Sequence, residues 1–422
     1  MQMKKFFLLP ALAAVVLAGC AKISSVETLR EESPTALDFG VYVPQTKAGS
    51  AGEMDQAKLQ ATGFGVFAFE EAGGYSKSIK PNFMYNQEVT YNSTATKWEY
   101  HPVKYWPNQL TDDGTTDGNG ASSATAHKVT FFAYAPYVAS AEGTEGITAM
   151  SAKSLAGDPT LTYKVSEDLD KNVDLVWGTS NGAAWNNVAG GTNTCAEGLP
   201  YIDLQKPAIG TKVHFKFYHA LAQLNLTAQM SYNIIGAGGT AADGVKITIK
   251  EVELTVPDMY RQGVLNLNNI TAKQPLWSFD GQTPASLSLV VNDDKLHTDV
   301  KDAGPAEAAD QPAGVIATEG PVLATGKYFT LLPREKADGE GGIDVTVKVT
   351  YYVTTDDSNL DDGYSRVENV ISKTINFPRG FKAGTKNNIK MILGISEVAL
   401  SGEVEEWETG TDLVDYWPKN KE

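Results

Sequence analysis

The sequence predicts an all-β protein of the sandwich type. Many short segments alternate apolar and polar residues with a period of two, as strands with one buried face do. The clearest examples are residues 245–256 and 343–353. Runs rich in Gly, Asp, Asn and Ser separate these segments and are typical of turns. Long amphipathic helical patterns are missing, so fold classes with a helical layer are disfavoured.

In the first half of the chain, apolar runs broken by turn residues predict a series of short strands. Residues 80–106 are rich in aromatic residues, and Pro81, Pro102 and Pro107 break this stretch into short pieces. The predicted segments, in order, are a strand over 37–47, a helical turn over 53–60, strands over 64–69, within 80–106 and over 129–134, a helical turn over 155–161 and a strand over 173–177.

The second half repeats this style. Residues 213–230 alternate at both ends around His219-Ala220-Leu221, which predicts two strands with a break between them. Further strands are expected at 245–256, 287–291, 328–332, 343–353, 389–395 and 398–404. Because 422 residues exceed the usual size of one domain, we expect an N-terminal domain over 37–208 and a C-terminal domain over 209–422.

The first nineteen residues have the composition of a bacterial lipoprotein signal peptide. Lys4 and Lys5 precede an apolar run that is too short to span a membrane as a helix, and Leu17-Ala18-Gly19-Cys20 matches a lipobox. The sequence therefore predicts cleavage before Cys20, lipid attachment to its sulfur, and a tether over 20–36. An ordinary signal peptide with an incidental cysteine is the alternative.

Charge and cysteine content narrow the range of partners. The formal net charge is −16, so the chain repels phosphate, and nucleic acid is not an expected partner. Cys195 is the only cysteine besides Cys20, so lipidation of Cys20 leaves no internal disulfide. Stability then depends on apolar burial and strand pairing.

The opening strand carries the functional hypothesis. Its apolar side chains lie on one face and are Leu37, Phe39, Val41 and Val43. The strand runs into Lys47, which stands in a small, flexible stretch that a trypsin-like protease can reach, with Arg30 as an alternative cleavage site. Removal of this strand would open a sheet edge, and an open edge accepts a strand from another chain.

The sequence contains no convincing residue pattern of a catalytic site, so it does not favour an enzyme. Residues 178–182 fit the G-x-S-x-G pattern, but a loop composition follows instead of a helix. Asp168, Asp170, Asn172 and Asp174 have the spacing of the first calcium-loop ligands, but the required Gly and Glu are missing. We therefore expect no catalytic residues, metal or cofactor.

Motifs spread along the mature chain resemble those of the Bacteroidales fimbrillins, the FimA/Mfa-like subunits of type V pili. The matching pieces are LAGC (17–20), LDFGVYVPQTKAG (37–49), FGVFAF (64–69), KYWP (104–107), VTFFAYAPY (129–137), VDLVWG (173–178), FKFYHALAQLNLTA (215–228), YFTLLP (328–333), INFPRGFKAGTKNNIKMIL (375–393) and VALSGEVEEWETG (398–410). The resemblance implies two tandem transthyretin-like, Greek-key β-sandwich domains, export as an outer-membrane lipoprotein, and proteolytic removal of the first strand.

The resemblance also implies that a C-terminal strand of a neighbouring subunit fills the opened groove. The donor strand is expected near 398–418, with alternating candidates Leu413, Val414, Tyr416 and Trp417. The first hypothesis is a stalk or tip subunit of a cell-surface fimbria that supports adhesion and assembles with other pilus subunits.

The second hypothesis is a non-polymerising surface lipoprotein that anchors a pilus or binds glycan or host protein. Trp98, Trp106 and Trp185 would then be candidates for stacking on sugars, although packing in the core is the favoured interpretation.

Overall fold

Strands dominate the protein, as the alternating pattern predicts. The computed structural model describes residues 35–42, 53–107, 127–187, 192–208, 211–231, 244–302, 314–315, 318–394 and 398–406. In the first half the strands are β1 (Phe39–Tyr42), β2 (Phe64–Ala72), β3 (Met84–Asn92), β4 (Lys97–Glu99), β5 (His127–Ala135), β6 (Gly146–Met150), β7 (Thr160–Lys164), β8 (Val176–Ser180), β9 (Ala184–Asn186), β10 (Thr192–Thr194), β11 (Tyr201–Leu204) and β12 (Val213–His219).

The second half contributes longer strands and little helix. Its strands are β13 (Ala222–Met230), β14 (Val245–Met259), β15 (Gln262–Asn266), β16 (Leu276–Ser278), β17 (Ala285–Asn292), β18 (Gly320–Pro321), β19 (Phe329–Leu331), β20 (Arg334–Glu335), β21 (Ile343–Asp356), β22 (Tyr364–Phe377), β23 (Gly380–Phe381), β24 (Thr385–Leu393) and β25 (Val398–Glu406). The helical segments are α1 (Gln56–Thr62), α2 (Thr298–Lys301) and two 3-10 turns at Leu169–Lys171 and Asp293–Lys295.

The first large sheet carries the opening strand at its edge. Its order is β1-β12-β8-β5-β2-β3-β4, and β11 pairs with β5. The neighbours β12, β8, β5 and β2 pair antiparallel, whereas β1 pairs parallel with β12. Because β12 (Val213–His219) belongs to this sheet, strand pairing continues past residue 208, where the domain boundary is predicted.

Two further sheets face each other in the second half. One has the order β18-β13-β24-β25, with β19 also paired to β13, and the other has the order β17-β14-β21-β22. Their inward side chains alternate with outward ones, so β14, β21 and β24 bury every second residue over much of their length. This is the sandwich arrangement that the alternation predicts.

A smaller four-stranded sheet joins distant parts of the sequence. Its order is β16-β15-β7-β6, so strands from residues 146–164 pair with strands from residues 262–278. By contacts, residues 36–422 form one compact unit. The tandem two-domain division therefore stays a prediction.

The apolar interior consists of two clusters of buried side chains. One is dominated by aromatic residues of the first sheet and includes Leu37 and Phe39 of the opening segment. The other extends from Phe67 to Val398 and contains the inward faces of the two facing sheets. The opening segment therefore contributes to the core of the first sheet.

Most predicted segments are present, with shifted ends. The helical turn predicted over 53–60 is α1, and the break predicted at 219–221 separates β12 from β13. The helical turn predicted over 155–161 is wrong, because residues 160–164 form β7. Within the described part of the chain, no helix has the length and apolar character to cross a membrane.

Candidate functional site

The opening strand lies between an edge of the first sheet and the segment at residues 100–105. Phe39–Tyr42 pair in register with Val213–Lys216 of β12. On the other side, the Leu37 N–H donates to the Lys104 carbonyl oxygen at 2.9 Å, and the Tyr100 hydroxyl donates to the Leu37 carbonyl oxygen at 2.9 Å. The segment just before β1 is thus held on the side away from β12, and β1 continues as the edge strand of the sheet.

We call the space occupied by residues 37–42 the β1 groove. Phe39 is its main anchor and is 2% exposed. Four aromatic rings surround the Phe39 ring with centroid distances of 5.3 to 6.2 Å, and they belong to Phe64, Tyr100, Phe131 and Phe215. Burying a Phe side chain stabilises by about 1.5–3 kcal/mol, so this ring supplies much of the affinity of the strand for the groove.

The opposite face of the strand meets two basic side chains, Lys212 just before β12 and Lys216 within it. The Asp38 carboxylate lies 2.6 Å from the Lys212 ammonium, and both side chains are partly exposed. The Lys216 ammonium lies 5.9 Å from the centre of the Tyr42 ring. An exposed ion pair contributes about 0.2–1 kcal/mol, so this face sets register more than affinity.

Gly40 packs directly against an imidazole. A Cβ atom built on Gly40 would lie 2.2 Å from the Cε1 and Nδ1 atoms of His214. A larger residue at position 40 therefore requires the His214 ring to move. Here glycine is needed for close approach and not for an unusual backbone angle.

Burial of the groove affects two titratable groups. Burial lowers the pKa of His214, the Lys212 charge lowers it further, and Asp38 raises it. Burial raises the pKa of Tyr100, which keeps its hydroxyl protonated and able to donate to the opening strand. With the strand in place, the groove favours a neutral His214.

The chain beyond the opening strand is fixed by a buried polar cluster, which we call the Glu53 cluster. The Glu53 carboxylate accepts from the Lys386 ammonium at 2.8 Å and from the Gln223 amide at 3.2 Å, and Glu53 is 4% exposed. The Met54 N–H donates to the Asp174 carboxylate at 2.7 Å. These bonds hold residues 53–54 against β13, β24 and the loop before β8.

The Asp174 carboxylate also binds a histidine. Its oxygens lie 3.0 and 3.1 Å from Nδ1 of His219, and both side chains are buried. His219 is therefore a packed histidine of the core with a hydrogen-bonded ring. Helix α1 follows, with the Asp55 carboxylate accepting from the Lys58 N–H at 2.7 Å as its N-cap.

The structure describes only the first part of the predicted opening strand. Leu37 and Phe39 are buried, and Val41 is half-buried. The other predicted residues of the N-terminal part lie outside the described residues and are Cys20, Arg30, Val43 and Lys47. The structure therefore describes the groove and leaves the predicted cleavage sites untested.

The predicted donor span is only partly described. Its first part, residues 398–406, is β25, which pairs antiparallel with β24 of the same chain over nine register pairs. The donor candidates Leu413, Val414, Tyr416 and Trp417 lie outside the described residues.

The tryptophans considered for sugar stacking lie in the core. Trp98, Trp106 and Trp185 are 8%, 6% and 2% exposed. Trp106 packs on Trp185 with ring centroids 5.4 Å apart, and Trp98 packs on Phe64 at 5.0 Å. Packing in the core explains these residues.

The motifs considered for catalysis and metal binding have structural roles. The segment after the G-x-S-x-G pattern forms β9 instead of a helix. Asp168 accepts from the Asp170 N–H at 3.0 Å and from the Lys295 ammonium at 2.9 Å. Over the ranges that the structure describes, no three His, Cys, Asp or Glu side chains come together in a metal-binding group.

An open cavity of about 800 Å³ lies beside β11 and the loop at 268–270. Its polar groups are engaged within the protein. The Asp203 carboxylate accepts from the Tyr75 N–H at 2.6 Å, and the Asn269 amide donates to the Gly198 carbonyl oxygen at 2.8 Å. The β1 groove is therefore the better candidate for recognition of a partner.

Known proteins share this architecture. The chain is 26% identical over 419 residues to the fimbrium subunit Fim1C of Phocaeicola vulgatus, which covers 96% of this chain and 97% of that protein. A crystal structure of a fimbrial protein from Bacteroides vulgatus superposes with a TM-score of 0.60 and 20% identity, covering 88% of this chain and 99% of that one. This structural likeness shows a shared fold.

The family assignment rests on a model described as fimbrillin-like, which matches residues 123–407. The match covers more than half of the chain and confirms the resemblance seen in the sequence motifs. This is a family of fimbrial structural subunits and not of enzymes. The chain belongs to the fimbrillin-like family.

Proposed function

We propose that this protein is a structural subunit, stalk or tip, of a type V fimbria at the cell surface. It is exported as a lipoprotein anchored through Cys20 in the outer membrane. Cleavage at Lys47 frees the opening strand; Arg30 is the alternative cleavage site, and a cut there would leave the strand attached to the body. A C-terminal segment of a neighbouring subunit then fills the β1 groove and joins subunits head to tail.

The observation that carries this proposal is the way the opening strand occupies its groove. β1 is four residues long and is the edge strand of its sheet. Its main anchor is the Phe39 ring in an aromatic pocket. Removal of such a strand leaves an unpaired edge on β12 and an exposed apolar groove, and both favour binding of another strand.

The Glu53 cluster explains why the rest of the chain would stay folded after the cut. Lys47 precedes Glu53, so cleavage there leaves the cluster and α1 attached to the body. The bonds from Glu53 to Lys386 and Gln223 and from Met54 to Asp174 lie outside β1. The new chain start would therefore be held a few residues from the cut.

The donor strand is expected after residue 406. β25 already pairs with β24 along residues 398–406 of its own chain. The remaining candidates, Leu413, Val414, Tyr416 and Trp417, follow β25 in the sequence after residues 407–412. Donation from this segment leaves the pairing of β25 with β24 intact.

We also propose that the chain forms two tandem transthyretin-like sandwiches that meet between His219 and Ala222. The predicted division into 37–208 and 209–422 is the alternative, and the pairing of β12 with β1 and β8 in the first sheet favours the later boundary. β13 begins the pairing of the second half.

Limited trypsin digestion of the purified chain tests the proposed function. Wild type and the variants Lys47→Ala and Arg30→Ala are digested, sequenced from the N-terminus and run on gels without boiling. We expect a start at Ala48 and a ladder of oligomers for wild type, and no ladder for Lys47→Ala. Folded monomer with the strand removed would contradict polymerisation and favour a surface lipoprotein that anchors a pilus or binds glycan or host protein.

A further inference from the structure

We propose that residues Val414–Tyr416 of a second copy occupy the position of Leu37–Phe39 in the β1 groove, with the same direction and register. The inference rests on the proposed function, in which a C-terminal segment replaces the opening strand. It specifies which residues of that segment enter the groove and which groups of the groove select them.

The first argument is a match within the sequence. Leu37-Asp38-Phe39 is an aliphatic residue, an aspartate and an aromatic residue, and Val414-Asp415-Tyr416 repeats this order. These are the only two places in the chain where Leu, Ile or Val, then Asp, then Phe, Tyr or Trp follow one another. One lies in the strand to be replaced, and the other lies in the segment expected to replace it.

The second argument is the chemistry of the groove. The position of Asp38 lies beside the Lys212 ammonium at 2.6 Å, so an aspartate there gains an ion pair. The position of Phe39 lies within the pocket of four aromatic rings, which favours a planar aromatic side chain. Asp415 and Tyr416 provide both groups in the same order.

The position of Leu37 is recognised through the backbone as well as the side chain. Tyr100 donates to the Leu37 carbonyl oxygen, and the Leu37 N–H donates to Lys104. Val414 offers the same backbone groups and an aliphatic side chain.

This register also accommodates Pro418, which falls at the position of Val41. The Val213 N–H donates to the Asp38 carbonyl oxygen, whereas the Leu37 N–H points the other way, to Lys104. Because these directions alternate along a strand, residue 41 directs its N–H away from β12. A proline there removes no hydrogen bond of the β12 ladder.

Trp417 falls at the position of Gly40, so the register requires the His214 ring to turn aside. The competing register sets Gly410 over His214 and Glu408 beside Lys212. It would place Thr409 in the Phe39 pocket and leave most of that pocket empty. We favour the register that fills the aromatic pocket, because burying the Tyr416 ring contributes a stabilisation of similar size to the cost of displacing His214, and so offsets that cost.

Cysteine cross-linking between two chains tests the register. A tagged chain carrying Lys212→Cys is mixed with an untagged chain carrying Asp415→Cys, treated with trypsin and oxidised. Neighbouring strands bring paired residues within disulfide reach. Because each chain carries one partner of the pair, a tagged heterodimer reports contact between copies. Wild type, with its own cysteines, and each single variant alone are the controls.

We expect the 212–415 pair to give the tagged heterodimer, and matched chains carrying Glu408→Cys or Asp412→Cys to give none. Cross-linking to position 408 instead would overturn the register and leave strand replacement intact. A polymer without any of these cross-links would also overturn the register. Absence of a polymer in wild type would overturn both this inference and the proposed function.

A charge exchange provides a second test that does not depend on disulfide geometry. Asp415→Lys and Lys212→Glu are each expected to reduce the oligomer ladder, because each places like charges together. The combined variant is expected to restore it. Loss of the ladder in the combined variant, with unchanged far-UV circular dichroism, would contradict the pairing of Asp415 with Lys212.

Discussion

Two edge strands of this protein are held in opposite ways. β1 has four residues and four register pairs with β12, and Phe39 buries its ring in a prepared pocket. β22 has fourteen residues and fourteen register pairs with β21, yet Val367 and Val370 are 59% and 57% exposed. The short strand depends on its side chains, and the long one depends on its backbone ladder.

The difference explains which edge is suited to exchange. A strand held by a few side chains in a groove can be replaced by another strand that carries matching side chains. β22 follows β21 through a short turn, and its charged residues Arg366, Glu368 and Lys373 discourage association through that edge. Selective exchange is therefore expected at β1 and not at β22.

The largest expected effect is at the Phe39 pocket. Phe39→Ala should weaken the docking of the opening strand by about 3–5 kcal/mol, since it removes a buried aromatic ring and leaves a cavity. Hydrogen exchange of the residue 37–42 amides measures this directly. Val370→Ala in β22 is the matched control and should change stability by less than about 0.5 kcal/mol. Equal effects of the two substitutions would contradict the contrast between the edges.

Substitutions in the Glu53 cluster should lower the stability of the folded body without weakening the docking of the opening strand. Lys386→Met removes the cation that faces a carboxylate with 3% side-chain exposure and should destabilise the fold by about 3 kcal/mol. Urea unfolding measures the loss. The variant Glu53→Gln with Lys386→Met should recover much of it, because no buried charge then lacks its partner. Normal stability of Lys386→Met would rule out the anchoring role.

Substitution of Gly40 tests how closely the opening strand approaches β12. Gly40→Ala should weaken docking of the strand by about 1–3 kcal/mol, because the added methyl overlaps the His214 ring. Gly320→Ala is the control, since a Cβ at Gly320 meets no atom within 4 Å. Combining Gly40→Ala with His214→Ala should remove the penalty, and protection of the residue 37–42 amides reports each case. If docking stays weak in the double variant, the backbone at position 40, and not the His214 ring, excludes the larger residue.

The smallest expected effect is a pH dependence of docking. Burial lowers the pKa of His214 below its ordinary value of 6.5, so the docked strand disfavours the proton that an exposed His214 would bind. Docking should therefore be strongest above about pH 7 and weaken as the pH falls below 6.5. Protection of the residue 37–42 amides, corrected for intrinsic exchange rates, should show this trend in wild type and lose it in His214→Gln. If docking in His214→Gln still weakens at low pH, a group other than His214 is responsible for the pH dependence.

The sequence predicts strands well where burial imposes alternation. The alternation of Ile343, Val345 and Val347 with polar residues predicts β21, and these three side chains face the core. β22 pairs with β21 throughout, but the sequence does not predict it, because most of its residues are exposed on both faces and show no period of two. Backbone pairing alone leaves little trace in composition.

The groove could be predicted only in part. Leu37 and Phe39 were identified from their alternation, and both are buried. Glu53 and Lys386 bond across 333 positions in sequence, so no local pattern signals their contact. The parallel pairing of β1 with β12 is likewise a property of the tertiary fold and not of either segment.

The most direct test of the account is the mass and N-terminal sequence of subunits taken from fimbriae on the cell surface. Strand exchange at the β1 groove predicts that polymerised subunits begin at Ala48 and lack residues 37–47. Polymers whose subunits begin at lipidated Cys20 and retain Leu37 and Phe39 would contradict it, because the groove would then still hold its own strand.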